Sequence, residues 1–329
     1  MSSVEFALAS PPTDGVTAVR FLPGAGKRFL VSSSWDKSVR LHDCGANKLV
    51  ARHEQAAPVL DCAPGPGGLS CFFGGLEGVV KLVDFNAGVN ERTVGQHEAA
   101  VRCVDFSPQF NAAVSAGWDR SCAVHDVRGP PKSVARWTLP GKAKSMCVQD
   151  WRVVVASLPR ALSVFDLRKL GSDVREQRES PHSHQTRSLA VTPDNQAFAV
   201  GSIDGRVAVE CFQDTAGARK DLLFKCHREV TDGVEMVYPV NCLAFHPLFG
   251  TLVTGGCDGF VVTWDVGSRK KLTQFHRYAT SISSLAFSPD GAQLAIAVSY
   301  TFEEGEKEHP ADSIVIRTLS DVDLKATRK

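Results

Sequence analysis

Two tryptophans and three cations are the residues of this sequence best suited to recognising another molecule. Trp35 and Trp118 each stand directly before an aspartate, in SSWDKSVRLHD and AGWDRSCAVHD. Arg187, Arg206 and Lys225 occupy positions at which small or apolar residues would serve the fold equally well. An indole offers a large apolar surface to a peptide, and arginine or lysine can hold a carboxylate or a phosphate. These residues predict a binding surface for an anionic ligand.

Patterns of catalytic residues are missing from the sequence. It contains no phosphate loop of the G-x-x-x-x-G-K type, no H-E-x-x-H segment, no G-x-S-x-G elbow and no dinucleotide fingerprint. The carboxylates are numerous, but most recur at fixed turn positions. We therefore expect no enzymatic activity, no cofactor, no metal site and no small-molecule substrate.

Composition and charge narrow the class of partner. The 329 residues include 37 Lys and Arg against 36 Asp and Glu, which gives a formal net charge of +1. A nearly neutral chain has no general basic surface for nucleic acid or an anionic membrane. No apolar run of about 18 residues is present, and MSSVEFALAS lacks the features of a signal peptide. We expect no direct binding to nucleic acid or membranes.

An internal repeat predicts the elements that position the candidate residues. Six copies of a strand, acidic hairpin and strand end at residues spaced 41, 42, 40, 45 and 54 apart. The period of about 40 to 45 residues is that of a four-stranded propeller blade, with one insertion of about a dozen residues. The copies end at Asp43, Asp84, Asp126, Asp166, Cys211 and Asp265.

The repeat predicts an all-β protein, a seven-bladed β-propeller built from WD repeats. We expect residues 1–329 to form a single domain, in which an N-terminal strand at about residues 4–8 closes the ring with blade seven. Closure of this kind removes exposed sheet edges. Blade seven includes SIVIR at residues 313–317, and residues 320–329 are expected to be a polar tail.

Histidines and cysteines receive structural roles. His53, His97, His227 and His276 precede the first strand of the next blade, where WD repeats bond a histidine to the hairpin acid. The candidate acids are Asp36, Glu77, Asp119, Asp204 and Asp258. The ten cysteines include no C-x-x-C pair, so we expect free thiols in a reducing compartment.

The strand order of a blade would bring Arg206 and Lys225 within reach of one anion. Both the tryptophans and the cations could instead have no binding function. The tryptophans could pack against their own blades, and the cations could be ordinary solvated charges.

Several segments resemble the WD-repeat subunit of the mitotic spindle checkpoint, from the family named budding uninhibited by benzimidazole. The resemblance runs from about residue 5 to residue 317. Its most specific segments are VSSSWDKSVRLHD, GQHEAAVRCVDFSP, QTRSLAV, GRVAVE, FKCHRE, YPVNCLAFHP and QFHRYATSISSLAFSPDGAQLAIAVSYTFEEGEKEHP.

The resemblance implies a non-enzymatic scaffold that is nuclear and reaches kinetochores in mitosis. It implies that Trp35, Trp118 and Arg187 bind a short acidic segment of a checkpoint kinase and of its pseudokinase-like relative. Arg187 would pair with a partner glutamate. Arg206 and Lys225 match positions that take a phosphothreonine in Met-Glu-Leu-Thr repeats of the phosphorylated kinetochore scaffold.

Three other functions stay open at this point. A related propeller of messenger RNA export binds a nuclear pore protein through a similar segment, and RESPHSHQ resembles both families. A substrate receptor of a ubiquitin ligase would use the same basic face for an acidic degron. A nucleic-acid binder is disfavoured, because a net charge of +1 supplies few phosphate contacts.

Overall fold

Seven four-stranded antiparallel sheets and a separate two-stranded ribbon make up the described part of the chain. The computed structural model describes residues 4–24, 28–86, 88–171, 174–213 and 221–325. The predicted seven-bladed β-propeller is confirmed. The chain divides into a four-blade unit, residues 17–180, and a three-blade unit, residues 1–16 with 181–329.

Blades one to four each use four consecutive strands of the chain. The strand β1 (Glu5–Ala7) precedes them and belongs to the three-blade unit. Blades one and two contain β2 (Val16–Phe21), β3 (Phe29–Ser34), β4 (Ser38–Asp43), β5 (Lys48–Glu54), β6 (Val59–Pro64), β7 (Ser70–Gly75), β8 (Val79–Asp84) and β9 (Asn90–Gln96). Blades three and four contain β10 (Val101–Ser107), β11 (Ala112–Gly117), β12 (Ser121–Asp126), β13 (Ser133–Thr138), β14 (Ala143–Gln149), β15 (Arg152–Ser157), β16 (Ala161–Asp166) and β17 (Glu176–Glu179).

The three-blade unit contains blades five to seven and the ribbon. Blade five and the ribbon contain β18 (Thr186–Val191), β19 (Ala197–Ser202), β20 (Arg206–Cys211), β21 (Leu222–Lys225), β22 (Arg228–Thr231) and β23 (Val234–Val237). Blades six and seven contain β24 (Val240–Phe245), β25 (Leu252–Gly256), β26 (Val261–Asp265), β27 (Lys270–Gln274), β28 (Ile282–Phe287), β29 (Gln293–Val298) and β30 (Ser313–Thr318). Blade seven takes its fourth strand from the N-terminus, since β1 pairs with β30. The insertion seen in the repeat spacing corresponds to the ribbon.

Apolar residues on the strands pack each blade against its neighbour within a unit. Between blades three and four, Val114, Val124 and Phe165 are fully buried, and Trp137 stacks on Phe165 with ring centroids 4.5 Å apart. Burial of this kind contributes about 25 cal/mol for each Å² of apolar surface removed from water. The two middle strands of a blade are buried along almost their whole length because both faces of the sheet are covered.

Aspartates with little exposure to solvent, Asp61 buried and Asp105 half-buried, join successive inner strands of the four-blade unit. An Asp61 carboxylate oxygen accepts a hydrogen bond from the Val104 amide at 3.0 Å, and Asp105 accepts one from the Val148 amide at 2.8 Å. Burial raises the pKa of Asp105 to about 6, despite these amide donors. The inner strands are therefore linked by side chains as well as by apolar packing.

Six inner strands share one irregularity, a β-bulge near the start of the strand. An extra residue stands there between two residues that pair with the next strand. We call these six residues the bulge positions. They are Leu60, Arg102 and Lys144 in the four-blade unit, and Arg187, Asn241 and Ser283 in the three-blade unit.

The predicted polar tail begins with one helical turn, α1 (Asp321–Leu324). Within this turn Leu324 is buried, and its carbonyl accepts a hydrogen bond from Thr251 at 2.6 Å. Ser320 and Asp323 close the start of the turn as a capping box. Residues 326–329 lie outside the described residues.

Candidate functional site

Trp35 and Trp118 occupy equivalent turns in the four-blade unit, between the second and third strands of blades one and three. Their side chains are 43% and 37% exposed, so neither indole is buried in its own blade. The adjacent acids serve the fold. Asp36 forms an ion pair with Arg40 at 2.6 Å, and Asp119 bonds His97 at 2.9 Å. The indoles are thus presented at the surface while the neighbouring carboxylates hold the turns.

Arg187 lies at the bulge position of β18 in the three-blade unit and is half-buried. Its Nε donates a hydrogen bond to Asn241 Oδ1 at 3.1 Å. Asn241 in turn donates from Nδ2 to the Ile282 carbonyl at 3.1 Å and to Thr301 Oγ1 at 3.3 Å. Asn241 therefore fixes the guanidinium against the next two inner strands of the unit.

The sequence alone did not single out Asn241. Its signal is positional, because Asn241 stands in VNCLAF where Arg187 stands in TRSLAV. Aligning the inner strands of the repeat would have marked both as residues of one structural position.

Arg206 and Lys225 stand directly opposite each other on β20 and β21. Directly opposed residues of antiparallel strands have their Cβ atoms about 5 Å apart, and two like charges there repel each other. The Arg206 side chain is 38% exposed and its Nε lies 3.4 Å from an oxygen of Asp204. Lys225 is exposed. Two cations thus face one small region, as the order of strands in a blade predicts.

Asp204, in the β19–β20 turn, is the acidic partner of Arg206. Burial raises the pKa of this carboxyl, but the Ser202 hydrogen bond and the charges of His182, Arg206 and His184 outweigh burial and lower it. Asp204 is therefore ionised at neutral pH and offsets part of the positive charge.

Arg228, a third cation close to β21 in the described part of the chain, has a structural role. Its Nη2 donates to the Asp204 carbonyl at 2.7 Å, and its Nη1 donates to Glu235 at 3.0 Å. The side chain is only 15% exposed. Arg228 ties the base of the ribbon to the β19–β20 turn, so Arg206 and Lys225 are left as the pair that faces solvent.

Two of the four predicted histidine networks are confirmed. In blade three, His97 bonds Asp119 at 2.9 Å and Ser115 at 2.7 Å. The sidechain of His227 bonds Asp258 at 2.9 Å and Thr254 at 2.8 Å. Both histidines directly follow or nearly follow the last strand of a blade and reach the hairpin acid of the next one.

The prediction was wrong for His53 and His276. The ring of His53 bonds Glu91 at 2.5 Å, because His53 lies within β5 rather than after it, and Asp36 is held by Arg40. His276 lies 3.4 Å from Glu5, and blade seven has a long loop where blade six has the hairpin with Asp258. Glu77, the acid of blade two, pairs with Lys81 at 3.0 Å.

The ten cysteines are free thiols, of which Cys147, Cys211 and Cys257 are partly exposed. Burial raises the pKa of Cys257 to about 11, so this thiol is protonated at neutral pH. Among the described residues, no group of three or more His, Cys, Asp or Glu side chains is placed to hold a metal ion. The one described helix is a single turn, and no helix in that part of the chain could cross a membrane.

Comparison with known proteins agrees with this architecture. The family described as WD domain, G-beta repeat matches residues 7–43, 88–126 and 224–265. A solved structure of U3-55K superposes with a TM-score of 0.83, covering 96% of this chain and 98% of that one at 17% identity. At that identity the likeness concerns the fold alone.

Relatives with 30% identity or more show which family of WD-repeat proteins the chain belongs to. The chain is 40% identical to mitotic checkpoint protein BUB3.1 of Arabidopsis thaliana, over 98% of this chain and 95% of the relative. It is 40% identical to mitotic checkpoint protein bub-3 of Caenorhabditis elegans, over 96% of this chain and 94% of the relative. Protein Rae1 of Drosophila melanogaster is 32% identical over 92% of this chain and 90% of the relative. The chain therefore belongs to the BUB3 family of mitotic checkpoint WD-repeat proteins.

Proposed function

We propose that this protein is a non-enzymatic peptide-binding scaffold of the spindle assembly checkpoint. It binds an acidic segment of a checkpoint kinase, and of the kinase's pseudokinase-like relative, through Trp35, Trp118 and Arg187. It recruits them to phosphorylated Met-Glu-Leu-Thr repeats of the kinetochore scaffold through Arg206 and Lys225. Its place of action is the nucleus and, in mitosis, the kinetochore. The observation that carries the proposal is the direct opposition of Arg206 and Lys225.

A phosphothreonine suits this cation pair. The opposed charges repel each other in the absence of a ligand, and a bound phosphate removes that repulsion. A phosphate brings a charge of about −1.5 to −2 and three acceptor oxygens at neutral pH. Arg206 offers planar, bidentate hydrogen bonding, and Lys225 offers a compact charge. An unmodified threonine hydroxyl has no charge with which to offset the repulsion.

An acidic peptide suits the other residues. Trp35 and Trp118 present exposed indoles to apolar side chains, and Asn241 holds Arg187 in one orientation before binding. Preorganised side chains lose less conformational entropy on binding, which favours affinity. Support for the checkpoint partners comes from the family, since the relatives at 40% identity are mitotic checkpoint proteins.

Affinity purification from mitotically arrested cells tests the proposal. The tagged wild-type protein is expected to recover a checkpoint kinase and the kinetochore scaffold, identified by mass spectrometry. A variant with Arg206→Glu and Lys225→Glu is expected to keep the kinase and lose the scaffold. Arg128→Glu is the matched control, because Arg128 is 74% exposed and pairs with Asp126 in a blade of the other unit.

Recovery of a nuclear pore protein together with messenger RNA export factors would contradict the checkpoint assignment. Scaffold recovery that is undiminished in the double variant would contradict the assignment of the cation pair.

A further inference from the structure

The six bulge positions are structurally equivalent in their blades but carry different side chains. Each lies near the start of an inner strand, at the end of the blade where the hairpin acid is also found. An extra residue at a bulge is not paired across the ladder, so its side chain can be aimed away from the regular pattern. Leu60, Asn241 and Ser283 show that the fold does not require a charge here.

Side chains at these positions extend between neighbouring inner strands. Arg187 reaches Asn241, as described above, and Asn241 reaches the Ile282 carbonyl. In the four-blade unit, Arg102 Nη1 donates to the Leu60 carbonyl at 3.3 Å. The guanidinium of Arg102 therefore lies along the rim of the inner strands rather than in the apolar core.

Blades three and four place cations at successive bulge positions, Arg102 and Lys144. Both side chains are half-buried, and both act on the buried thiol of Cys103. Burial raises the pKa of that thiol to about 12, while the charges of Arg102 and Lys144 oppose the rise. The strands β10 and β14 are neighbours, since the Val148 amide donates to Asp105 at 2.8 Å, so the two cations stand at the same bulge position of adjacent inner strands.

Trp118 belongs to the same end of blade three. Its amide donates to the Ala100 carbonyl at 2.9 Å, and Gly117 pairs with Val101, the residue before Arg102. The nearest hairpin acid, Asp119, is occupied by His97 and by Arg136 at 3.4 Å. The exposed indole and Arg102 therefore lie at the same end of the blade-three sheet, and Lys144 lies at the equivalent end of β14, the neighbouring inner strand.

We propose that Arg102 and Lys144, together with Trp118, bind a second acidic position of the partner segment. This inference rests on the proposed function, because it assigns further residues to the site for the acidic segment. Arg102 and Lys144 occupy the structural position of Arg187, and they extend carboxylate binding to blades three and four. They determine how many acidic residues a partner segment must carry.

Binding of a fluorescein-labelled synthetic peptide of the kinase's acidic segment, followed by fluorescence anisotropy, tests the inference. Arg102→Gln and Lys144→Gln are each expected to weaken binding about fivefold, the effect of a partly exposed ion pair. Arg128→Gln is the control, since Arg128 is an exposed arginine at the other end of blade three. The losses are expected to shrink at high salt, because salt screens exposed charges.

A peptide series assigns the contact. Each acidic residue of the segment is replaced in turn by glutamine, and one replacement is expected to have no further effect on the Lys144→Gln protein. Changing that residue to lysine is expected to restore affinity for a Lys144→Glu protein. Restoration separates a direct contact from a fold defect, which matters for Arg102 because it also bonds Leu60.

Two outcomes overturn the inference. Failure of the wild-type protein to bind the segment overturns the proposed function as well. Tight binding that is unchanged in both glutamine variants overturns this inference alone and leaves Trp35, Trp118 and Arg187 as the site.

Discussion

Blades three and six build the same hydrogen-bonded network and end it with different residues. In blade six, Trp264 Nε1 donates to Thr254 Oγ1 at 3.1 Å, and Thr254 bonds His227. In blade three, His125 takes the place of the tryptophan and bonds Ser115 Oγ at 2.8 Å. An imidazole in blade three thus occupies the place of the indole in blade six and bonds the same kind of hydroxyl group.

The imidazole of His125, which is smaller than the indole of Trp264, lies against Gly95 of β9. A Cβ atom added to Gly95 would lie 2.1 Å from Cε1 of the imidazole. The backbone of Gly95 therefore lies directly against the imidazole ring, and no larger residue fits at this position without a shift of the ring. His125, which stands where blade six has Trp264, therefore packs closely against β9.

The two terminal rings also differ in electrostatics. An indole only donates and does not titrate near neutral pH, whereas an imidazole can gain a proton. Burial, followed by the charges of His97 and Arg136, lowers the pKa of His125 to about 3. Burial likewise lowers the pKa of His97, although Asp119 opposes the shift. The blade-three network is therefore neutral in both rings at pH 7 and sensitive to acid.

The largest effect is expected when the acid of either network is removed. Asp119→Ala and Asp258→Ala each leave a buried histidine without its carboxylate, and each is expected to lower the free energy of unfolding by about 3 kcal/mol. Urea denaturation followed by circular dichroism measures the change. Asp126→Ala is the control, because Asp126 pairs at the surface with Arg128. Equal losses in all three variants would contradict the structural role of the networks.

A somewhat smaller effect is expected for Gly95→Ala. The added methyl group meets the His125 ring, so we expect a loss of about 2 kcal/mol in the free energy of unfolding. Adding His125→Ala to the Gly95→Ala protein makes room for the methyl group, so the two losses are expected not to add. Additive losses in this double-mutant cycle would show that Gly95 and His125 do not press on each other.

The smallest effect concerns pH. A histidine whose pKa is lower in the folded state contributes stability that is complete above its unfolded value of about 6.5 and declines as pH falls toward about 3. His125 is therefore expected to make the free energy of unfolding fall by about 1 kcal/mol per pH unit between pH 6 and pH 5.

The variant His125→Phe removes one titrating ring of the blade-three network. It is expected to show a shallower decline over this range than the wild-type protein, measured by urea denaturation at each pH. A decline as steep as that of wild type would mean that His125 is not responsible for it.

Much of the fold follows from the repeat, because each blade carries its strand pattern and turn residues locally. The opposition of Arg206 and Lys225 was predictable for the same reason, since adjacent strands of a blade are joined by a known connection. Contacts of Arg187 with Asn241 were not predictable. They depend on a β-bulge whose position only the strand register shows.

The failures have physical causes of the same kind. His53 precedes the end of its strand by one residue, and that difference directs the ring to Glu91 instead of a hairpin acid. The composition of residues 320–329 predicts a polar tail and gives no sign of the helical turn α1 at its start. Asp323 and Leu324 are buried in that turn, and the partner of the Leu324 carbonyl, Thr251, comes from a distant part of the sequence.

Calorimetric titration of the protein with a phosphorylated Met-Glu-Leu-Thr peptide tests directly whether Arg206 and Lys225 bind a phosphothreonine. Wild-type protein is expected to bind the phosphopeptide and to ignore the unphosphorylated form. Arg206→Ala and Lys225→Ala are each expected to weaken binding at least tenfold, because each leaves the phosphate with one cation. If wild type and both variants bind the phosphopeptide with equal affinity, Arg206 and Lys225 do not form its binding site.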